Sequence, residues 1–108
     1  MTEAILIYIT AATPDEADRI SEALLERRLV ACVNRLGGVK SRYWWQGALE
    51  SAEECLILAK SLQRHWPDIL ATVGELHSYT VFDAVAIPIL DGNPEYLRWI
   101  AESTAGEI

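Results

Sequence analysis

The stretch Leu29-Val30-Ala31-Cys32-Val33-Asn34-Arg35-Leu36-Gly37-Gly38-Val39-Lys40-Ser41-Arg42-Tyr43-Trp44-Trp45-Gln46-Gly47-Ala48-Leu49-Glu50-Ser51-Ala52-Glu53-Glu54-Cys55-Leu56-Ile57-Leu58-Ala59-Lys60 decides the fold, and it holds both cysteines and two of the four tryptophans. From Val39 to Gln46 the side chains alternate as a strand requires. Val39, Ser41, Tyr43 and Trp45 fall on one face; Lys40, Arg42, Trp44 and Gln46 fall on the other. Gln46-Gly47 reads as a two-residue turn, because glycine accepts the positive φ that such turns demand. Beyond the turn, local propensity and pattern disagree. Leu49-Glu50-Ser51-Ala52-Glu53-Glu54 would suit a helix, whereas a tight turn sets Lys40 opposite Glu53 and Tyr43 opposite Glu50, which are sensible cross-strand pairs. A hairpin arm of this length carries too much aromatic surface to remain in water.

Working outward, Val30 to Asn34 is a short apolar run, and Gly37-Gly38 predicts a bulge or bend before the arm. Upstream, Ala4 to Thr10 is apolar and β-branched, which predicts a central strand covered on both faces. Thr13-Pro14-Asp15-Glu16 has capping-box spacing, with proline at the first helical position. Ala17, Ile20 and Leu24 give that helix its buried stripe, and Arg27 and Arg28 are expected in its last turn, ending near Arg28. Downstream, Leu62, Trp66, Ile69, Leu70, Val73 and Leu76 recur at helical intervals, with Pro67 near the start. His77 to Thr80 connects to a buried strand over Ala84 to Leu90, whose Pro88 points to an edge or terminal position. Asp91-Gly92 turns the chain, and Asn93-Pro94 opens a short closing helix that stops before Gly106.

The order β-α-β-β-α-β-α is the α+β, ferredoxin-like βαββαβ sandwich, here with a short C-terminal helix and an extended hairpin arm from the second and third strands. Two helices cover one face of such a sheet. The other face needs a cover, and another copy of the same chain is the expected one.

At 108 residues and 51% hydrophobic, the chain is expected to form one domain over residues 1–108 with a core that needs no disulfide staples. A net charge of −7 argues against nucleic acid or an anionic membrane surface and leaves cations as partners. No segment approaches the roughly 20 apolar residues of a membrane span, and Ile5 to Ile9 is too short for a secretory signal, so the expected compartment is the cytoplasm. There the two cysteines are expected to be reduced and buried.

The chain resembles the CutA divalent-cation-tolerance family. Thr13-Pro14, Ala31-Cys32-Val33-Asn34, Ser41-x-Tyr43-Trp44-Trp45-x-Gly47-x-x-Glu50, Lys60, His77-x-Tyr79 and Asn93-Pro94-x-Tyr96-Leu97-x-Trp99-Ile100 carry the resemblance, which runs over essentially the whole length. It implies a ferredoxin-like homotrimer whose long second and third strands reach neighbouring subunits, and it makes Ala48 to Lys60 a strand. It also implies a link to divalent metals, above all copper(II), with His77 at the position the family keeps as a residue to consider as ligand; Cys32, a thiol inside an apolar strand, is the other residue to consider, from its chemistry and not from the resemblance. Two departures stand out. The family's His-Pro-Tyr-Glu-Val-Pro-Glu is here His77-Ser78-Tyr79-Thr80-Val81-Phe82-Asp83, and the first strand has no cysteine where copper binding is proposed in the family.

No catalytic motif is visible: there is no phosphate-cradling glycine loop, no HExxH helix and no nucleophile with a basic partner at recognisable spacing, so a non-enzymatic protein is expected. Nor does any pair among Cys32, Cys55, His65 and His77 have metal-ligand spacing. Glu50, Glu53 and Glu54 read as a solvated acidic run facing Lys40 and Arg42, and Tyr43, Trp44, Trp45 and Trp99 read as interface anchors. A second reading follows from the family's similarity to nitrogen-regulatory PII proteins. It is a small-molecule sensor with ligands in inter-subunit clefts near Trp45, Glu53, Lys60, His77 and Tyr79. An acylphosphatase-like hydrolase would need a glycine-arginine cradle that the chain lacks.

Overall fold

In the computed structural model, which describes residues 2–104, β1 (Ala4–Ala11) lies at the centre of a four-stranded antiparallel sheet. The others are β2 (Cys32–Trp45), β3 (Ala48–Leu62) and β4 (Ala84–Pro88), in the spatial order β2-β3-β1-β4. Three helices complete the chain, α1 (Pro14–Glu26), α2 (Trp66–Leu76) and α3 (Pro94–Ser103), with a 3-10 turn at Gln63–His65 ahead of α2. Gly106 lies outside the described residues. No described helix is long and apolar enough to cross a membrane.

The hairpin register is the one expected from the turn. Lys40 faces Glu53 and Tyr43 faces Glu50. Gln46 and Gly47 both have positive φ, 50° and 81°, the signature of a type I′ turn whose twist matches its strands. Between Leu36 and Val39 the register shifts, so that Gly37 and Gly38 together oppose Cys55, with Gly38 at φ +70°. That bulge swaps the alternation of β2: Leu36 and Val39 lie on the same face on either side of it. Tertiary pairing overrides the helical propensity of Leu49 to Glu54, because β3 borders β2 along its length.

One face of the sheet is covered over β1 and the proximal part of β3. Ile5, Ile7, Ile9 and Ala11 of β1 and Cys55, Ile57 and Ala59 of β3 pack with Ala17, Ile20 and Leu24 of α1 and Ile69 and Val73 of α2. Each large side chain among them contributes about 1.5–3 kcal/mol by leaving water. The other face differs from the expectation of a strand covered on both sides. α3 crosses only one end of it, touching β3 and β1 and burying Ile100. Leu36, Val85 and Ile87 stay exposed there, and Leu6 and Tyr8 are half-buried.

Helix α1 also ends earlier than expected. Arg27 is its C-cap, and Arg28 sits beyond it at φ +56°. The Leu29 N–H donates to the Leu24 carbonyl and the Arg28 N–H to the Leu25 carbonyl, a Schellman closure that leaves no basic residue in the last turn. Arg27 instead reaches α2, donating to Thr72 Oγ1 at 2.9 Å and Glu75 Oε1 at 3.2 Å. Leu62 is a second difference: it ends β3 opposite Ala4 instead of opening α2. Strand β4 stops at Pro88, where an edge strand loses nothing by lacking an N–H.

Candidate functional site

The end of α2 is pinned to the sheet by a buried polar group of side chains. His77 caps α2 and its side chain is fully buried. Its Nε2 lies 2.8 Å from the Thr10 carbonyl oxygen, which can only accept, so Nε2 carries a proton. Nδ1 lies 3.1 Å from the Tyr79 backbone nitrogen. The Phe82 ring stacks on it at 5.2 Å.

Glu16 reaches the same place from the first turn of α1. Thr13 caps the helix as expected, accepting the Glu16 N–H at 3.1 Å. The Glu16 carboxylate, however, does not return to the cap residue. It accepts the Ala12 N–H at 3.1 Å and the Ser78 N–H at 3.0 Å, and stands 3.4 Å from His77 Nδ1. Burial alone raises its pKa, but the bonds from Ala12 and Ser78 and the proximity of His77 win, and the carboxyl sits below the usual carboxylate range. Tyr79 then links this group to the hairpin, donating its phenolic O–H to Glu54 Oε2 at 2.9 Å. Burial first, then that bond and the Glu54 charge, push the Tyr79 phenol up to about 12.

Between the arm and the connection after α2 lies a cleft of about 830 Å³. Trp45 and Tyr79, both expected at a ligand cleft, line it with Tyr8, Thr10, Tyr43 and Glu54. Glu53 and Lys60 do not. Glu53 is on the opposite face of the arm, in a shallower hollow bordered by Lys40, Arg42 and Ser51. No ion pair among the described residues joins Lys40 or Arg42 to Glu50, Glu53 or Glu54. Glu54, read from sequence as part of a solvated run, is buried. Period-two counting back from the strand residues Leu58 and Leu56 is the signal that could have found it, since it puts Glu54 on the same face as Thr10 and Tyr8.

Lys60 belongs to a third group under α3. Cys32 Sγ is 3.4 Å from Tyr96 Oη and 4.0 Å from Lys60 Nζ, and the Lys60 ammonium lies over the Tyr96 ring, 5.6 Å from its centre. The bond with Cys32 and partial burial raise the Tyr96 phenol's pKa against the opposing pull of Lys60. Trp99, expected as an interface anchor, stacks on Tyr96 at 5.5 Å. Of the cysteines, Cys55 is buried in the core, whereas Cys32 is only partly covered, because α3 crosses its face of the sheet loosely.

These positions bear on copper. His77 has both ring nitrogens engaged and no exposed surface, Cys32 sits in a different group, and no cluster of three or more His, Cys, Asp or Glu that could hold a metal ion occurs among the described residues. Within one chain His77 and Cys32 do not fit a shared metal site.

A family model described as CutA1 divalent ion tolerance protein matches residues 5–103. The Divalent-cation tolerance protein CutA of Thermus thermophilus is 43% identical over 99 residues, covering 92% of this chain and 96% of that protein. A solved structure of the divalent cation tolerance protein from the same organism superposes with a TM-score of 0.92 over 94% of this chain and 99% of that one. A structure from Archaeoglobus fulgidus, described as a periplasmic divalent cation tolerance protein CutA, is 40% identical with a TM-score of 0.90, covering 94% of this chain and 98% of that one. The rice protein CutA 1, chloroplastic, is 32% identical over 101 residues, 94% of this chain but 57% of that protein. With the matched model spanning both the hairpin and α3, the chain belongs to the CutA divalent-cation-tolerance family.

Proposed function

We propose that this chain serves divalent-cation tolerance as a single-domain, non-enzymatic homotrimer of the cytoplasm. The observation that carries assembly is the apolar surface left uncovered on one side of the sheet, from Leu36 through Val85 and Ile87, continuous with an arm that exposes Tyr43, Trp44 and Trp45. Surface of this kind is normally interface. The number three comes from the family resemblance alone, and the link to divalent cations from that resemblance and from the names its relatives bear. Two free cysteines suit a reducing compartment.

Copper(II), where it acts, is then met by donors other than a His77–Cys32 pair within one chain. Light scattering at micromolar concentration tests assembly: a mass near three times 12.1 kDa is expected, and a monomer removes the reading. Copper titration of the reduced protein tests the ligands. Unchanged affinity in His77→Ala and Cys32→Ser is expected, and a loss in either restores that residue as a donor.

A further inference from the structure

We infer that the cleft between the arm and the connection after α2 binds an organic cation, an ammonium or guanidinium on an apolar body, with Glu54 as its counter-charge. Glu54 is only 6% exposed, yet it lines the cleft. One carboxylate oxygen takes the Tyr79 O–H; the other has no hydrogen-bond or ion-pair partner among the described residues. A carboxylate that faces the cleft with one neutral side-chain donor leaves an oxygen for a cationic partner, and a cation in the cleft supplies it.

The aromatic wall makes the same case independently. Tyr8, Tyr43, Trp45 and Tyr79 all line the cleft, and rings of this kind attract cations through their negative faces. A bare metal ion makes no use of rings, and it would need more donors than are gathered here. Asp83, on the rim, is already bonded to the Thr10 hydroxyl at 3.3 Å. Lys40 and Arg42 also border the cleft, but from strand positions that alternate away from Val39, the residue facing Glu54. The volume of about 830 Å³ lies within the roughly 300–1,000 Å³ of small-molecule sites. The net charge of −7 draws cations toward the chain.

Two sources can supply this group: a free amine, or a lysine or arginine side chain of a second copy. Calorimetry with benzylamine, and with benzyl alcohol as its uncharged counterpart, is the test. Benzylamine is expected to bind about tenfold more tightly than benzyl alcohol, and to lose about tenfold in Glu54→Gln, which retains an acceptor for Tyr79. Trp45→Leu, remote from the Tyr79 bond, should weaken it several-fold and serves if Glu54→Gln does not fold. Should benzylamine not bind, the second source predicts oligomer dissociation that rises with salt in the wild type and is salt-insensitive in Glu54→Gln. Equal binding of benzyl alcohol, a Glu54→Gln chain unchanged in both assays, or Glu54-dependent binding of zinc(II) without benzylamine binding overturns the inference. A monomer that binds benzylamine keeps it and removes only the assembly reading.

Discussion

Strand β3 spans two environments. From Cys55 to Leu62 its odd-numbered side chains are buried under α1 and α2, while from Ala48 to Glu53 none is buried. Pairing with β2 runs through both halves, from Lys60 to Ala48, with the Gly37-Gly38 bulge between them. The difference teaches that the ladder shapes the arm, whereas only the proximal half adds hydrophobic stabilisation to the single chain. A two-stranded hairpin is marginal by itself in water, so within the single chain the arm's rings and its turn add little stabilisation of their own.

The largest expected effect falls in the proximal half. Ile57→Ala removes a side chain with no exposure and should cost about 2–5 kcal/mol in urea unfolding. A cost under about 1 kcal/mol would break the contrast between the halves. Next comes the polar group behind the cleft: Glu16→Ala strands the Ala12 and Ser78 N–H groups and should cost about 1–3 kcal/mol. Because the folded Glu16 carboxyl is held below its ordinary value, its contribution is complete above the unfolded carboxylate pKa and is lost as pH falls through the folded one. Unfolding measured from neutral to acid pH should therefore be flatter in Glu16→Gln than in the wild type.

At the boundary between the halves, Gly38→Val places a β-branched residue at φ +70° and should cost about 1–2 kcal/mol, a figure that circular dichroism melts can check. Smallest is Lys40→Ala on the exposed arm. Its pairing with Glu53 is a register position without a formed ion pair, and a loss of about 0.2–1 kcal/mol is expected. A larger loss would show that the arm carries stability of its own.

Much of the fold was legible in the residues. The Lys40–Glu53 and Tyr43–Glu50 pairs followed from Gln46-Gly47, and the bulge followed from Gly37-Gly38. The end of α1 was not legible, because Arg28 takes a left-handed conformation normally left to glycine, and Arg27 is drawn off to Thr72 and Glu75. At the site, Trp45 and Tyr79 do share a cleft, whereas Glu53 and Lys60 are separated from them by strand alternation and by α3. Glu16 was visible only as a cap residue.

The sequence by itself determined the order of elements, the hairpin register and the stripes that make the core, since each depends on a local period or on a turn's own φ requirement. Only the tertiary structure decided what the polar residues do. Whether Glu54 is solvated or buried, whether His77 has a free nitrogen, and whether Cys32 meets His77 or Lys60 depend on groups brought from distant parts of the chain. Hydrogen bonds and charge compensation are set by distances of a few ångströms through space, and no spacing along the chain encodes them.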